Sequence, residues 1–164
     1  MPMSQMKLHH AHQMTDRDQQ RLNQLEHSLK KLPKMLPIEK SNINELMEGA
    51  EIQYFGKGET VIQQGDLTGS LYVILEGKAH LEMTGENDEA IIIGKLEQGD
   101  FFGEITVFTE KFSSFSVRAQ EDLKVINVSQ NEVLEMVEMN PRLAEHLDEM
   151  MDARRSKVQE IRQN

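Results

Sequence analysis

Hydrophobic residues follow three successive patterns along the chain, which divide it into a helical start, a β-rich middle and a helical end. Residues 1–14 are polar and show no repeat, which predicts a disordered tail. After Thr15, a residue type that favours helix N-caps, leucines recur at helical spacing at Leu22, Leu25, Leu29 and Leu32. We therefore predict a helical arm over 15–34. Its leucine stripe must pack on the body of the protein or on a second copy, and the pattern leaves both open.

The middle of the chain has the pattern of a β protein. It is preceded by a second short helix, which we expect Ser41 to cap. Seven β-branched or apolar runs then predict strands at 51–55, 60–63, 71–75, 78–83, 90–94, 116–119 and 123–128. Glycine-containing turns separate these runs, and we expect the turns at Gly65 and Gly77 to close hairpins. Short strands broken by glycine about every ten residues are typical of an antiparallel sandwich or barrel.

A pair of helices completes the pattern. Apolar residues return at helical spacing over 130–139, Asn140 and Pro141 interrupt them, and a longer helix follows up to about residue 162. The predicted fold class is mainly β with flanking helices (α+β). Its centre is a jelly-roll-like antiparallel β-roll, with helices before it and a C-terminal helix pair after it.

The predicted domain organisation follows from these elements. Residues 35–164 form one domain, in which the β-roll covers about 51–128 and the C-terminal helices cover about 130–162. The arm differs from this domain in charge, because residues 1–34 hold 6 basic and 3 acidic residues while the remainder holds 12 basic and 25 acidic ones. The arm is therefore the part of the chain best suited to contact an acidic surface.

Composition narrows the function classes. The chain holds 18 Lys+Arg against 28 Asp+Glu, for a formal net charge of -10, which argues against nucleic-acid binding because phosphate contacts need clustered cations. The absence of cysteine excludes disulfides, thiolate metal sites and cysteine nucleophiles. No apolar run approaches the ~20 residues of a membrane span, and the N-terminus has no hydrophobic signal region. We expect a cytoplasmic protein with no membrane span.

Catalysis and metal binding have little support in the sequence. His9, His10 and His12 lie in the predicted tail without a carboxylate beside them, and the predicted roll contains a single histidine, His80. The sequence has no nucleophile elbow, Ser-His-Asp arrangement or P-loop. We therefore predict that the protein is not an enzyme and has no metal and no cofactor.

The most specific stretch is residues 55–77, with the sequence FGKGETVIQQGDLTGSLYVILEG, followed by GDFFGE at 99–104 and SVRA at 116–119. On these motifs the sequence resembles the cyclic-nucleotide-binding domain family. The family includes the catabolite activator protein, the regulatory subunit of cyclic-AMP-dependent protein kinase and cyclic-nucleotide-gated channels. The resemblance covers about residues 36–155. It implies a regulatory or sensor domain in signal transduction, with cAMP or cGMP as the candidate ligand.

The segment after Gly99 carries the candidate ligand site. It should lead a strand into a short helix, which leaves the amides of Gly103, Glu104 and Ile105 at the helix N-terminus as an anion cradle. The resemblance implies that this segment holds the cyclic phosphate and that Glu104 accepts a hydrogen bond from the ribose 2′-hydroxyl. In the alternative interpretation, the Glu104 carboxylate caps the first turn of its own helix.

One residue of the family pattern is missing. Members that bind cyclic nucleotides pair the phosphate with an arginine in a Pro-Arg-[Ser/Ala/Thr]-Ala motif, and that position is Ser113 here. Losing one charge-assisted hydrogen bond weakens binding by ~1.5–3 kcal/mol. Ser113 and Ser114 remain candidate phosphate contacts, and Lys111 is a candidate substitute cation or else a solvated loop lysine. Phe115 replaces a small residue and would fill space beside the ligand, whereas Arg118 is expected on the outer face of the roll.

The resemblance gives the long C-terminal helix two roles, as a lid over the nucleotide base and as the dimer interface of the transcription-factor branch. Met150 and Met151 are the candidate base contacts. The helix carries a seam close to a heptad repeat, at Leu143, Leu147, Met150, Arg154, Val158 and Ile161. The alternative interpretation is that its first half packs on the roll while its second half, with Arg154, Arg155 and Lys157, is solvated.

Two functions remain open. The first is retained nucleotide binding, coupled to movement of the flanking helices. The second is a ligand-free interaction or dimerisation module on the same fold, in which Phe112 and Phe115 belong to the core. In it, the N-terminal arm or the C-terminal helix contacts a protein partner or a second copy. Because the chain ends at Asn164, we also expect no helix-turn-helix after the long helix and no DNA binding by the chain itself.

Overall fold

Two antiparallel sheets form the centre of the protein in the computed structural model, which describes residues 15–29, 49–109 and 111–163. The first sheet has the strand order β1-β8-β3-β6 and the second has the order β2-β7-β4-β5. Within the described residues, the strands are β1 (Ala50–Phe55), β2 (Thr60–Ile62), β3 (Ser70–Glu76), β4 (Ala79–Thr84), β5 (Ala90–Leu96), β6 (Phe101–Phe102), β7 (Ser116–Ala119) and β8 (Leu123–Ser129). All seven predicted runs are strands, and the predicted fold class is confirmed. The sequence pattern missed β6, which has two residues.

The turns at Gly65 and Gly77 do not close hairpins, so that prediction was wrong. Each turn joins strands that lie in different sheets: β2 to β3 at Gly65, and β3 to β4 at Gly77. The reason is that β3 pairs with β6 and β8 and not with its neighbours in sequence. The β4–β5 connection is a true hairpin, because those two strands pair along their whole length. Crossing between sheets at these turns is what closes the roll.

Four helices flank the sheets in the described part of the chain: α1 (Asp16–Leu29), α2 (Glu104–Thr109), α3 (Gln130–Met139) and α4 (Pro141–Gln163). The predicted N-cap of α1 is confirmed, because the Asp18 amide donates a hydrogen bond to the Thr15 hydroxyl over 3.2 Å. The break between α3 and α4 falls at Asn140 and Pro141, as predicted. The predicted tail over 1–14 and the helix expected after Ser41 lie outside the described residues, except that Gly49 is helical.

The described residues form two apolar clusters, one on each face of the first sheet. Residues of β3 divide between them by strand alternation, since Leu71 and Val73 face one cluster while Tyr72 and Ile74 face the other. The roll interior is the cluster between the two sheets, with Ile62, Leu81, Phe102, Phe115, Val117 and Val125 among its members. The outer cluster lies between the first sheet and the helices, with Phe101, Val107, Ile126, Val133, Leu143 and Leu147 among its members.

The arm docks on the body of the protein. Leu25 of α1 is 8% exposed and belongs to the outer cluster, which includes residues of β3, β8, α3 and α4. The sequence left open whether the leucine stripe packs on the body of the protein or on a second copy. In the structure, the part of the stripe that contains Leu25 packs on the body of the same chain. Burying an apolar side chain of this size typically contributes about 1.5–3 kcal/mol.

Candidate ligand site

The candidate site begins where β6 turns into α2. Gly103 has a φ of 90°, and a Cβ at this residue would lie 2.5 Å from the Ser70 carbonyl oxygen and 3.3 Å from the Tyr72 ring. Only glycine fits a backbone that is both left-handed and this close to a neighbouring strand. The Tyr72 ring in turn stacks on Phe102 with 4.9 Å between the ring centroids. These contacts fix the start of α2 against the first sheet.

Glu104, the first residue of α2, is buried and paired with an arginine from the C-terminal helix. Its side chain is 0% exposed, and its Oε1 lies 2.8 Å from Nη1 of Arg154. This is an ion pair by distance, although neither atom meets the angular geometry of a hydrogen bond, and Oε2 also has no hydrogen-bond partner among the described residues. The predicted ribose-binding carboxylate therefore faces a cation of its own chain.

Arg154 makes two further contacts at the same place. Its Nη2 donates a hydrogen bond to the Phe101 carbonyl oxygen over 2.6 Å, and its guanidinium lies 5.2 Å from the centroid of the Phe101 ring. A guanidinium over an aromatic face gains a cation–π attraction in addition to the hydrogen bond. With 7% of its side chain exposed, Arg154 is as buried as a core residue. Its burial depends on Glu104, because an unpaired charge is costly to bury.

Helix α4 changes its packing surface along its length. Leu143 and Leu147 pack in the outer cluster, whereas Val158 and Ile161 pack on the roll interior. The alternative in which Arg154 belongs to a solvated half was wrong, because its side chain is only 7% exposed and the second half of α4 packs on the roll through Val158. The exposure expected for Arg155 and Lys157 is confirmed, since each has about half of its side chain exposed.

The structure separates the other residues predicted for the site. Met150 packs against the outer cluster, Met151 is 9% exposed, and the α4 residue inside the roll is Val158. Ile105 lies in α2 beside Glu104, and its side chain lies outside the described part of the structure. The structure thus brings Gly103 and Glu104 together with Arg154.

The segment at 111–115 contains Ser113, the residue predicted to stand in place of the family arginine. Ser113 is buried, and its hydroxyl donates a hydrogen bond to the Phe115 carbonyl oxygen over 2.6 Å. Phe115 is 2% exposed in the roll interior, so its predicted place in the core is confirmed. Phe112 is 68% exposed, so its predicted place in the core was wrong. Because 111–115 has no regular secondary structure, no periodicity distinguished the two rings.

Arg118 lies on the outer face of the second sheet, as predicted. Its Nε and Nη2 donate hydrogen bonds to Glu82 Oε1 over 3.1 and 3.0 Å, and Glu82 Oε2 lies 2.8 Å from Nε2 of His80. Burial acts to raise the pKa of Glu82, but the hydrogen bonds and positive charges of Arg118 and His80 outweigh it and lower the pKa. Arg118 is therefore engaged in an ion pair away from Glu104.

The functional residue that sequence reasoning missed is Arg154. One signal for it was present, because Arg154 interrupts an otherwise apolar seam between Met150 and Val158. A charged residue in such a seam requires an anionic partner once the seam is buried. The sequence did not reveal that Glu104, fifty residues earlier, is that partner.

The described residues offer no metal site and no membrane-spanning helix. They contain no group of three or more His, Cys, Asp or Glu side chains that could hold a metal ion. None of the helices in this part of the chain is long and apolar enough to cross a membrane. The histidines of the N-terminal region, His9, His10 and His12, lie outside the described residues.

Two antiparallel sheets, a short helix that follows a left-handed glycine, and a C-terminal helix laid over the roll together define a β-roll domain with flanking helices. The family model of the cyclic nucleotide-binding domain matches residues 52–140, and the chain belongs to this family.

Relatives from this family are regulatory proteins. The cAMP-activated global transcriptional regulator of Salmonella typhimurium is 32% identical over 108 residues, which cover 65% of this chain and 51% of the regulator. The chain thus spans about half the length of the curated relatives it matches. Among solved structures, the catabolite activator protein of Thermus thermophilus has a TM-score of 0.62 at 23% identity, covering 76% of this chain and 58% of that one.

A second solved structure shares the fold at lower identity. The regulatory subunit of a cAMP-independent protein kinase A from Trypanosoma cruzi, bound to guanosine, has a TM-score of 0.68 at 18% identity. The match covers 81% of this chain and 47% of that one. Both structural comparisons support the β-roll with flanking helices.

Proposed function

We propose that this chain is a non-catalytic, cytoplasmic regulatory domain whose ligand site is held closed by its own helix α4. The observation that carries the proposal is the Arg154 contact with Glu104, the carboxylate that the family resemblance assigns to the ribose 2′-hydroxyl. The Phe101 carbonyl oxygen accepts a hydrogen bond from Nη2 of the same guanidinium. Arg154 thus occupies the carboxylate at the start of α2 that a ligand would need.

The proposed switch is an exchange of partners at Glu104. A ligand that donates a hydroxyl to this carboxylate must displace Arg154, and Val158 must then leave the roll interior with it, because both residues are on one rigid helix. A ligand can shift a conformational equilibrium only by its difference in affinity for the two states. The ligand gains affinity for the state in which α4 is displaced, because Glu104 is then available to it. The movement of α4 is the signal that the domain passes on.

The proposed ligand is a nucleoside or cyclic nucleotide bound mainly through its ribose. Ser113 stands at the position of the phosphate-binding arginine, and its hydroxyl is already used by the Phe115 carbonyl oxygen. A cyclic phosphate would therefore gain little there, which reduces the advantage of cAMP or cGMP over an uncharged nucleoside. The Trypanosoma cruzi relative bound to guanosine has the same fold and supports including nucleosides as candidates.

Calorimetric titration tests this function. cAMP, cGMP, adenosine and guanosine are titrated into the wild-type protein and into Arg154→Gln, Glu104→Gln and Lys157→Gln. Because Arg154 competes with the ligand, we expect Arg154→Gln to tighten binding by about tenfold or more, which corresponds to 1.4 kcal/mol. Glu104→Gln should bind more weakly than the wild type because it loses the carboxylate, and Lys157→Gln, on an exposed part of the same helix, should behave as the wild type.

The competing outcome is a ligand-free interaction module. It is favoured by one observation, that Phe115 and Val158 already fill the roll interior with apolar side chains. If a folded Arg154→Gln protein binds none of the four compounds up to millimolar concentration, the sensor proposal fails and this module is the better function. Light scattering on the wild-type chain and on a truncation after Met150 then shows whether α4 joins two copies.

A further inference from the structure

A pocket of about 450 Å³ lies between the 109–114 segment and the second half of α4. Among the lining residues that the structure describes, three are cations and none is acidic: Lys111, Arg155 and Arg162. The other lining residues include Phe112 and Ser114, while neither Gly103 nor Glu104 belongs to the lining. The pocket therefore lies apart from Gly103 and Glu104, although two of its lining residues, Lys111 and Ser114, were predicted as phosphate contacts of the ligand site.

The positive charge of this pocket is largely uncompensated. In the part of the chain that the structure describes, Lys111 and Arg162 have no ion-pair partner, and Arg155 has one exposed contact of 3.6 Å with Asp152. An exposed ion pair of this kind is weak, so it neutralises little of the positive charge of Arg155. Three cations gathered in one concave place are unexpected in a chain with a net charge of -10, because acidic residues are available to neutralise them. Such a concentration of positive charge attracts anions.

The chemistry of the lining selects a phosphorylated ligand. Guanidinium groups match phosphate oxygens with two parallel hydrogen bonds, and three cations suit more than one phosphate. Phe112 adds an aromatic ring that is 68% exposed on the same wall, where a planar ring can stack. The volume lies in the usual range of small-molecule sites. We propose that this pocket binds a nucleotide carrying two or more phosphates, with the phosphates on Lys111, Arg155 and Arg162 and the base on Phe112.

Binding in this pocket would tie α4 to the body of the domain. Lys111 and Phe112 belong to the segment after α2, whereas Arg155 and Arg162 belong to α4. Val158 lines the pocket with one side and packs in the roll interior with the rest. A polyphosphate that bridges both elements stabilises the closed position of α4, and by linkage it opposes any ligand that needs α4 to move.

The test uses pyrophosphate, ATP and adenosine as probes, titrated into the full chain by calorimetry at low salt. We expect pyrophosphate and ATP to bind and to compete with each other, and adenosine alone to bind more weakly than ATP by about tenfold or more. Arg155→Gln and Arg162→Gln should each weaken ATP and pyrophosphate about fivefold or more, as one lost charge-assisted contact requires. Lys157→Gln is the matched control, because it removes a cation from α4 that does not line the pocket.

Three results would overturn the proposal: no binding of ATP and pyrophosphate at millimolar concentration, equal weakening by Lys157→Gln, or binding that Phe112→Ala weakens equally for ATP and pyrophosphate. The Glu104→Gln variant separates this site from the roll site. If ATP binding is unchanged in Glu104→Gln, the pocket is independent of the proposed sensor function. If it is lost in Glu104→Gln while Arg155→Gln and Arg162→Gln bind ATP as the wild type does, the ligand enters the roll and the pocket proposal is wrong. Circular dichroism of each variant confirms that it is folded.

Discussion

Arg154 Nη1 lies 2.8 Å from Glu104 Oε1, and both side chains are buried. The pair joins the C-terminal helix to the first turn of α2 at the place where a ligand of this family would meet the protein. The Phe101 carbonyl oxygen and ring complete the surroundings of the guanidinium. One ion pair therefore connects the position of α4 to the accessibility of the ligand site.

Breaking this pair on one side should be costly. Arg154→Met leaves the Glu104 carboxylate buried without a cation, and we expect the free energy of unfolding to fall by about 3–5 kcal/mol. The double variant Glu104→Gln/Arg154→Met removes the buried charge and should recover part of this loss. Urea unfolding of the wild type, both single variants and the double variant measures the coupling between the two residues.

Lys157→Met is the control for the loss of a cation from α4. Lys157 is half exposed and has a 3.7 Å contact with Glu160, so its replacement should change stability by no more than about 0.5 kcal/mol. If the effects of the Glu104 and Arg154 variants are simply additive, the pair does not hold α4 on the roll.

The turn at Gly103 predicts a second stability difference. Gly103→Ala combines a left-handed backbone with a Cβ placed 2.5 Å from the Ser70 carbonyl oxygen. Gly58→Ala has the same φ of 90° but nothing within 4 Å of its Cβ. We expect Gly58→Ala to cost about 1 kcal/mol from the backbone alone, and Gly103→Ala to cost clearly more because β3 must also shift. Equal losses in urea unfolding would show that the contact with Ser70 is relieved without cost.

The strands were predictable for two reasons. Some alternate between residues that face one apolar cluster and residues that face the other, and others are β-branched runs that end at a glycine turn. Strand β6 was not predictable, since Phe101 faces the outer cluster and Phe102 the roll interior, and two adjacent apolar residues give no period. The cap of α1 and the break at Pro141 were predictable from local chemistry. What local pattern does not contain is the path of α4 across the roll.

The candidate site shows the same limit. Gly103 and Glu104 were found because they stand in a recognisable motif next to each other. Arg154 was missed because its partner is determined by tertiary packing. The apolar seam of α4 looks uniform in the sequence, and only the fold shows where the helix leaves the outer cluster and begins to pack on the roll interior. A sequence period describes the face of a helix that is buried, and it does not say which neighbour buries it.

Val158 gives a prediction for the dynamics of α4. Its side chain is 4% exposed in the roll interior, so Val158→Ser removes the main apolar contact of the second half of the helix with the roll. We expect faster hydrogen exchange of α4 amides after Arg154, while the half that carries Leu143 and Leu147 stays protected. Glu160→Ser is the control, because it places the same serine in α4 at an exposed position. Equal exchange in the two variants would mean that the roll does not hold the end of α4.

We expect stability to depend on pH through Glu82, which lies on the outer face of the second sheet beside Arg118 and His80. The pKa of Glu82 in the folded protein lies below its ordinary value of 4.5, because Arg118 and His80 together outweigh the effect of burial. A carboxylate of this kind contributes stability that is fully present above its unfolded pKa and is lost as the pH falls through the folded pKa. Glu82→Gln removes this contribution, so the difference in unfolding free energy between the wild type and Glu82→Gln should be largest near about pH 6 and shrink towards about pH 3.

Urea unfolding of both proteins across that range measures the difference directly, and the other carboxylates cancel because both proteins share them. Glu76→Gln supplies the control for replacing a strand carboxylate by an amide, because Glu76 is exposed at the end of β3. A difference for Glu82→Gln that stays constant with pH would mean that Arg118 and His80 hold the protonated and ionised carboxyl equally well. In that case, the 3.0 and 3.1 Å contacts from Arg118 position β4 against β7 without favouring the charged form.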